Sequence, residues 1–485
     1  LNKLITAGDA ADDARVITLD ENYRSRQPIL DSASHVIRNN VHRKEKNLKA
    51  CKGEGEPVVW CRANNEYGEA EYVVSTMQTL KSREGFHNRD FAVFYRTNAQ
   101  SRVFEDVLRR NNIPYRVVGG LKFYDRREIK DMLAYLKFIA NPHDSVSLAR
   151  IINTPARGIG DATVGKIRDA AVKEGVSEWD VINQGMLSGR APRGIEEFRG
   201  IIGHAQMMAS GVPGAMKLSD FVLDLFGSTG YRKSLEEENS IESASRIENI
   251  EEFINSVYNF ETVNPQGTLA EFLQEISLFT SEEDPQDPEA RDNSLTMMTM
   301  HNTKGLEFPV VFLTGMEENT FPHRLSIDTE EGLEEERRLC YVGITRAMER
   351  MYLTNADIRR TYYGVDYKET SRFIREIPDG LLEKRTYGND SFNGYRQERR
   401  QFGFGADLKK PDRVRDDAPS ESAPAPAPEE YGSTAYRKLD RVMHPKYGAG
   451  TVIKIEGAGD NVKLTILFTT GAKTFLEKYT PLEKA

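Results

Sequence analysis

The chain has 485 residues, room for about three or four domains at roughly 100–200 residues each. Its 75 acidic against 66 basic side chains give a formal charge of −9, which argues against coating nucleic acid by bulk attraction but leaves room for a basic groove. Three scattered cysteines (Cys51, Cys61, Cys340) make neither a disulfide framework nor a zinc site and suit a reduced cytosol, and no apolar run approaches the ~20 residues of a membrane span.

In chain order, residues 16–19 read as a short strand, followed by Asn22-Tyr23-Arg24-Ser25. Ser25 is expected to cap a helix with Pro28 in its first turn, where the missing N–H costs little. Ile29, Ala33, Val36 and Ile37 then share one helical face. Leu19-Asp20-Glu21 imitates an acidic Mg²⁺-binding pair, a reading set aside because no phosphate loop precedes it. Tyr23-Arg24, just before a helix N-terminus, has a ring to stack on a base and a cation to meet a phosphate. A packed Tyr and a solvated Arg are the plainer alternative. The run Phe91-Ala92-Val93-Phe94-Tyr95 predicts a strand buried on both faces, and a helix bearing Val103, Phe104, Val107 and Leu108 leads to a strand near 115–118, a βαβ pattern.

From about 125 to 287 the periodicity turns helical, with stripes at Ile129, Met132, Leu133 and Leu136 and again near 221–226 and 247–258. Strands return at 295–300 and 309–314, so one α/β domain interrupted by a helical insertion is the economical account. The stretch 418–430 is rich in Pro, Ala and Glu, cannot bury a core and predicts disorder. Alternating apolar residues in 450–455, 462–468 and 473–475 then predict a small all-β barrel.

Two stretches carry the chemistry. Thr299-Met300-His301-Asn302-Thr303-Lys304-Gly305-Leu306-Glu307-Phe308 joins two strands, and residues 301–307 are expected on the carboxyl rim of the sheet, where ligands of open parallel sheets bind. Gly305 would admit close backbone approach, and Glu307 offers a carboxylate suited to a ribose hydroxyl. In Glu334-Glu335-Glu336-Arg337-Arg338-Leu339-Cys340-Tyr341-Val342-Gly343-Ile344-Thr345-Arg346-Ala347 the acidic residues suit a first helical turn. Leu339, Val342, Gly343 and Arg346 fall at i, i+3, i+4 and i+7, which aims Arg346 inward. A guanidinium so placed needs an anion, either a phosphate or a structural carboxylate. For nucleic acid the candidates are residues 95–102, with Arg96 and Asn98; Arg359-Arg360-Thr361-Tyr362-Tyr363-Gly364, with aromatics beside cations; and Thr154-Pro155-Ala156-Arg157-Gly158-Ile159-Gly160 before a helix. No Gly-Lys-Ser/Thr phosphate loop occurs; Gly165-Lys166 is followed by Ile167.

In this order these stretches resemble motifs of the UvrD/PcrA family of DNA helicases: Asn22 to Ser25 like motif IV, Tyr95 to Arg102 like the strand-loop motif after it, and the two long stretches like motifs V and VI. Arg157-Gly158-Ile159-Gly160 is similar to the family's helix-hairpin-helix. The resemblance implies the end of domain 1A at 1–20, a RecA-like domain 2A at 21–121 and 288–384, an all-helical 2B at 122–287, a linker at 385–436 and a Tudor-like domain at 437–485. The phosphate loop and Mg²⁺ ligands would lie upstream, which the opening Leu1 suits.

The resemblance further implies that Tyr23 stacks on adenine, that Arg24 and Arg346 contact the γ-phosphate of ATP, and that Gly305 and Glu307 help to hold the nucleotide. His301, Arg96, Asn98 and one of Tyr362 or Tyr363 would line the single-strand track, with Thr154, Arg157, Gly158 and Gly160 against duplex DNA. The implied protein is a cytoplasmic, ATP- and Mg²⁺-dependent 3′–5′ DNA helicase of repair or replication, with RNA polymerase as a partner of its tail. A non-catalytic DNA-binding or RNA polymerase-binding module is the alternative.

Overall fold

The computed structural model describes residues 20–43, 48–187, 193–209, 216–280, 292–388, 441–444, 448–456, 463–468, 471–476 and 483–484. The strand expected at 16–19 and most of the linker expected at 385–436 lie outside them. The chain divides into two compact units, residues 1–402 and 403–485.

In the first unit, β1 (Glu21–Asn22) and β2 (Lys49–Ala50) form a small parallel ladder. Between them runs the helix Gln27–Ile37, which buries Ile29, Ala33 and Val36. Its N-cap residue is Arg26, not Ser25. The Ser25 hydroxyl is fully buried and instead donates to the carbonyl of Ala347 at 2.6 Å, tying this segment to a distant strand.

The main sheet comprises β3 (Val58–Asn65), β4 (Phe91–Tyr95), β5 (Tyr115–Val117), β6 (Leu295–Thr299), β7 (Phe308–Leu313), β8 (Ala347–Thr361), β9 (Gly364–Tyr367) and β10 (Leu382–Tyr387). Its order is β10-β3-β8-β7-β4-β6-β5, parallel throughout, with β9 antiparallel on β8. Both faces are covered, so β4 is buried at every residue: Ala92 and Phe94 face a core with Ile29, Leu313 and Ile344, while Phe91, Val93 and Tyr95 face one with Val73, Phe104 and Phe312. That double burial is why the strand reads as a continuous apolar run. The last strand continues through Tyr387, past the expected domain end at 384. It pairs with β3, a strand that the apolar pattern alone does not single out.

Neighbouring β5 and β6 are parallel, and the regular elements described between Arg127 and Thr280 are all helices. Those helices enclose their own core, in which Phe138 packs against Trp179 and Phe198 at ring separations of 5.5 and 6.5 Å. Their junction with the sheet is polar. Arg102 binds Glu252 at 2.6 Å and Asp106 at 2.8 Å, and Arg126 donates to Asn249 at 2.9 Å and Ser101 at 2.7 Å. Among the described residues no helix is long and apolar enough to cross a membrane.

The second unit contains β11 (Arg441–His444), β12 (Gly448–Glu456), β13 (Lys463–Phe468), β14 (Gly471–Leu476) and β15 (Glu483–Lys484) in the antiparallel order β14-β13-β12-β11-β15. The three strands expected at 450–455, 462–468 and 473–475 overlap β12, β13 and β14.

Candidate nucleotide and nucleic-acid interfaces

Register sets the geography. Thr299 at the end of β6 pairs with Tyr95, and Phe94 pairs with Leu313 of β7, so Phe308 starts about six residues, roughly 20 Å, below Thr299. The segment 300–307 therefore descends from the carboxyl rim to the amino rim. The expectation that all of it would sit on the carboxyl rim holds for His301 and fails for Glu307, because β6 and β7 run parallel and their connection must cross the sheet.

At the amino rim, Asn22 Oδ1 accepts the backbone N–H of Arg24 at 3.0 Å and of Ser25 at 2.8 Å, a side-chain-closed turn that fixes the start of the helix. Arg24 Nε lies 2.5 Å from Glu307 Oε2, and its Nη1 is 3.5 Å from the carbonyl of Thr345. The hydrogen bond from Arg24 holds the Glu307 carboxyl below the usual carboxylate range.

Arg346 also comes here, though not on a helical face. The helix Glu330–Ile344 ends before it, Thr345 is the C-cap, and β8 starts at Ala347. Its guanidinium folds back on carbonyls and a hydroxyl: Nε to Val342 O at 3.0 Å, Nη1 to Leu306 O at 3.3 Å and Nη2 to Thr345 Oγ1 at 3.3 Å. Burial and the charge of Arg24 push its pKa down. Two guanidiniums thus stand close together, Arg24 paired with Glu307 and Arg346 on the carbonyl of the adjacent Leu306, a repulsion that an incoming polyanion would relieve.

Tyr23 is 71% exposed, and its hydroxyl donates to Glu21. Glu21, Asn22, Tyr23, Arg24, Lys52, Glu307 and Met348 line a cavity of about 370 Å³. Gly305 is exposed at φ +88°, the left-handed region where a side chain would be strained.

At the carboxyl rim, His301 is exposed; partial desolvation and the charge of Arg96 hold its imidazole below the ordinary histidine range, hence neutral near pH 7. Asn98 is half-buried in the turn after β4. Arg96 points elsewhere: it grips buried Glu336 through Nε at 3.0 Å and Nη2 at 2.7 Å. In the same stretch Tyr95 and Arg102 are buried, so this motif offers a backbone contact mainly through residues 97–100.

The pair Tyr362 and Tyr363 separates cleanly. The Tyr362 hydroxyl donates to Asp220 and its N–H to Asn255 Oδ1 at 2.7 Å, anchoring it to the helical region. Tyr363 is 66% exposed. Arg359, singled out beside them, is clamped by fully buried Glu317 at 2.6 Å and Glu69 at 2.8 Å.

In the helical region, the Arg157 guanidinium turns inward to the carbonyl of Thr229 and the hydroxyl of Tyr135, both at 2.8 Å, and lies over Phe198. It braces the turn and is spent there. Thr154 Oγ1 is likewise committed to Arg150 O at 2.9 Å, while Gly158 and Gly160 are exposed before the helix Asp161–Glu174.

The acidic run does not occupy the first helical turn expected of it. The helix begins at Glu330 with Thr329 as cap, so residues 334–336 lie a turn further on. There Glu334 Oε1 accepts the N–H groups of Val41 (2.7 Å) and His42 (3.1 Å). Asn22 and Lys52 join the site without having been expected there. An Asn whose side chain can accept the N–H groups two and three residues on is a legible turn signal, but nothing local announces Lys52. Among the described residues no group of three His, Cys, Asp or Glu side chains is placed to hold a metal ion.

A family model described as the UvrD-like helicase C-terminal domain matches residues 17–357, and one described as the PcrA/UvrD tudor domain matches 439–484. The chain is 39% identical to the ATP-dependent DNA helicase PcrA of Bacillus subtilis (strain 168), over 97% of this chain and 62% of that protein. It is 37% identical to PcrA of Staphylococcus aureus (strain Mu50) and 38% identical to that of Staphylococcus epidermidis (strain RP62A), with the same coverages. The chain therefore spans about three-fifths of the length of these relatives.

Proposed function

The chain belongs to the UvrD-like helicase family, and from that premise we propose that it forms the γ-phosphate-sensing and DNA-gripping part of an ATP-driven 3′–5′ DNA helicase. In this reading the parallel sheet is domain 2A, the helical segment is 2B, and the C-terminal strands form the Tudor-like tail, the element offered to RNA polymerase. The phosphate loop and the Mg²⁺ carboxylates come from a second RecA-like domain. The observation that carries the reading is the convergence of Arg24, paired with Glu307, and Arg346, bound to the carbonyl of Leu306, beside exposed Tyr23.

Tyr23 supplies a face for adenine, Glu307 an acceptor for a ribose hydroxyl, and the two arginines meet charge that develops on the transferred phosphate. Segment 300–307 runs from Glu307 to His301, so a shift at the nucleotide reaches the strand-facing rim through one short connection. Asn98, His301 and Tyr363 would meet the single strand; exposed Gly158 and Gly160 would let a duplex phosphate approach backbone N–H groups. Arg96 and Arg157 enter as braces of those surfaces.

The test uses the protein encoded by the complete reading frame. Arg346→Ala should lower DNA-stimulated ATP turnover by roughly 10³-fold or more, the scale of an arginine finger, while single-strand affinity stays near wild type. Unchanged turnover would sink the assignment.

A further inference from the structure

Lys52 carries no role in the reading above, yet it stands in the wall of the same cavity. Its position is built. β1 and β2 pair in parallel register, Glu21 with Lys49 and Asn22 with Ala50, and the N–H of Cys51 donates to Asn22 O at 2.8 Å. The chain leaving β2 is therefore carried alongside Tyr23 and Arg24. Arg26 then clamps it, because its Nη1 donates to the carbonyl of Lys52. The backbone is held, and the side chain, 28% exposed, is fixed at its tip by one ion pair, to Glu349.

The partner of the ammonium is shared. Glu349 lies 3.0 Å from Lys52 Nζ and 2.7 Å from Arg26 Nε, so this carboxylate stays paired if the lysine leaves. The cavity wall itself carries two cations (Arg24, Lys52) and two carboxylates (Glu21, Glu307), and the Lys52–Glu349–Arg26 cluster adjoins it through Lys52. The Lys52 charge is also felt at Glu307. A compact ammonium on a four-carbon stem can swing from a carboxylate to a phosphate, which a guanidinium fixed by several carbonyls cannot do as readily.

We propose that Lys52 is a third cationic contact of the nucleotide site, moving from Glu349 onto a phosphate oxygen of the bound nucleoside triphosphate. This rests on the reading of Arg24 and Arg346 as phosphate ligands. It makes Lys52 a positioning residue that strengthens binding without taking part in bond cleavage, so its removal should appear in KM and leave kcat alone.

The experiment compares wild type, Lys52→Ala and Lys52→Arg in the protein encoded by the complete reading frame. ATP, ADP and adenosine are measured as competitors of one fluorescent nucleotide, alongside steady-state turnover. Lys52→Ala should weaken ATP and ADP by roughly 10-fold, the lower end for a charged hydrogen bond, leave adenosine unchanged, and keep kcat within about 2-fold. Lys52→Arg should restore most of the affinity. Equal weakening of all three competitors, or none, overturns the proposal. Arg346→Ala in the same assay separates the two claims. If it abolishes turnover while Lys52→Ala is silent, only the role of Lys52 falls; if it too is silent, the site reading falls and takes this inference with it.

Discussion

Tyr362 and Tyr363 are adjacent in the chain, with rings 5.4 Å apart at 74°, yet one is fastened and the other presented. Tyr362 is bound to Asp220, and that hydrogen bond raises its phenol to a pKa of about 12, so it stays a neutral donor throughout the physiological range. Tyr362 is half-buried against the helical core, whereas Tyr363, which also meets Arg232, is 66% exposed. Tyr363→Ala should therefore weaken single-strand binding by the roughly 1–3 kcal/mol of one stacked base, about 5- to 150-fold. Tyr362→Phe should leave that affinity nearly unchanged. Fluorescence anisotropy with an oligonucleotide decides it, and the reverse ranking would reassign the stacking residue. Arg96 is the complementary case at this scale: its carboxylate partner Glu336 is 3% exposed, whereas Glu307, the partner of Arg24, is 49% exposed and open to a ligand.

The helix Glu330–Ile344 is the element that joins the rims. Near its start Glu334 and Glu336 hold the 41–42 turn and Arg96, midway Arg337 pairs with Glu376 at 3.0 Å, and its end delivers Arg346 to the amino rim beside Glu307. Burial alone would raise the Glu336 pKa, but the hydrogen bonds and charge of Arg96 outweigh it and hold the carboxyl low. A depressed folded-state pKa means the pair stabilises fully above the unfolded carboxylate value of about 4.3 and is lost as pH falls through the folded value. Glu336→Gln should lower unfolding free energy near pH 7 by about 3 kcal/mol, as when one partner of a buried pair is removed. It should also flatten the acid limb of the stability curve. Urea unfolding at several pH values reads both, and a variant as stable as wild type would mean Arg96 is not held by this contact.

At the scale of the molecule, Glu307 and Arg346 stand just before the amino ends of β7 and β8, with Arg24 beside Glu307, while His301, Asn98 and Tyr363 stand at the carboxyl side. One parallel sheet separates the two rims, and the 300–307 crossing and the helix Glu330–Ile344 connect them. The proposed nucleotide site gathers Arg24, Arg346 and Lys52, and the 485 residues contain no Gly-Lys-Ser/Thr loop. Purified as a polypeptide of these 485 residues alone, the chain should bind single-stranded DNA and show no ATP turnover above background in a coupled assay; sustained, DNA-stimulated hydrolysis by it would contradict the proposed division of labour.

Local sequence determined what depends on neighbours in the chain. The apolar run of β4, the helical stripe at Ile129, Met132, Leu133 and Leu136, and the order of the motif residues were all legible, because periodicity reports which side is buried. Tyr23, Arg24, Glu307 and Arg346 were legible as candidates from the residue types and their order in the motifs. Three matters were not legible: which rim Glu307 occupies, which arginines are spent on buried carboxylates, and that Lys52 joins the site. Each depends on strand order and on pairs more than two hundred residues apart, such as Arg96 with Glu336 and Arg24 with Glu307. Only the folded sheet brings those charges within reach of one another, because Coulomb attraction falls with separation in space and not along the chain.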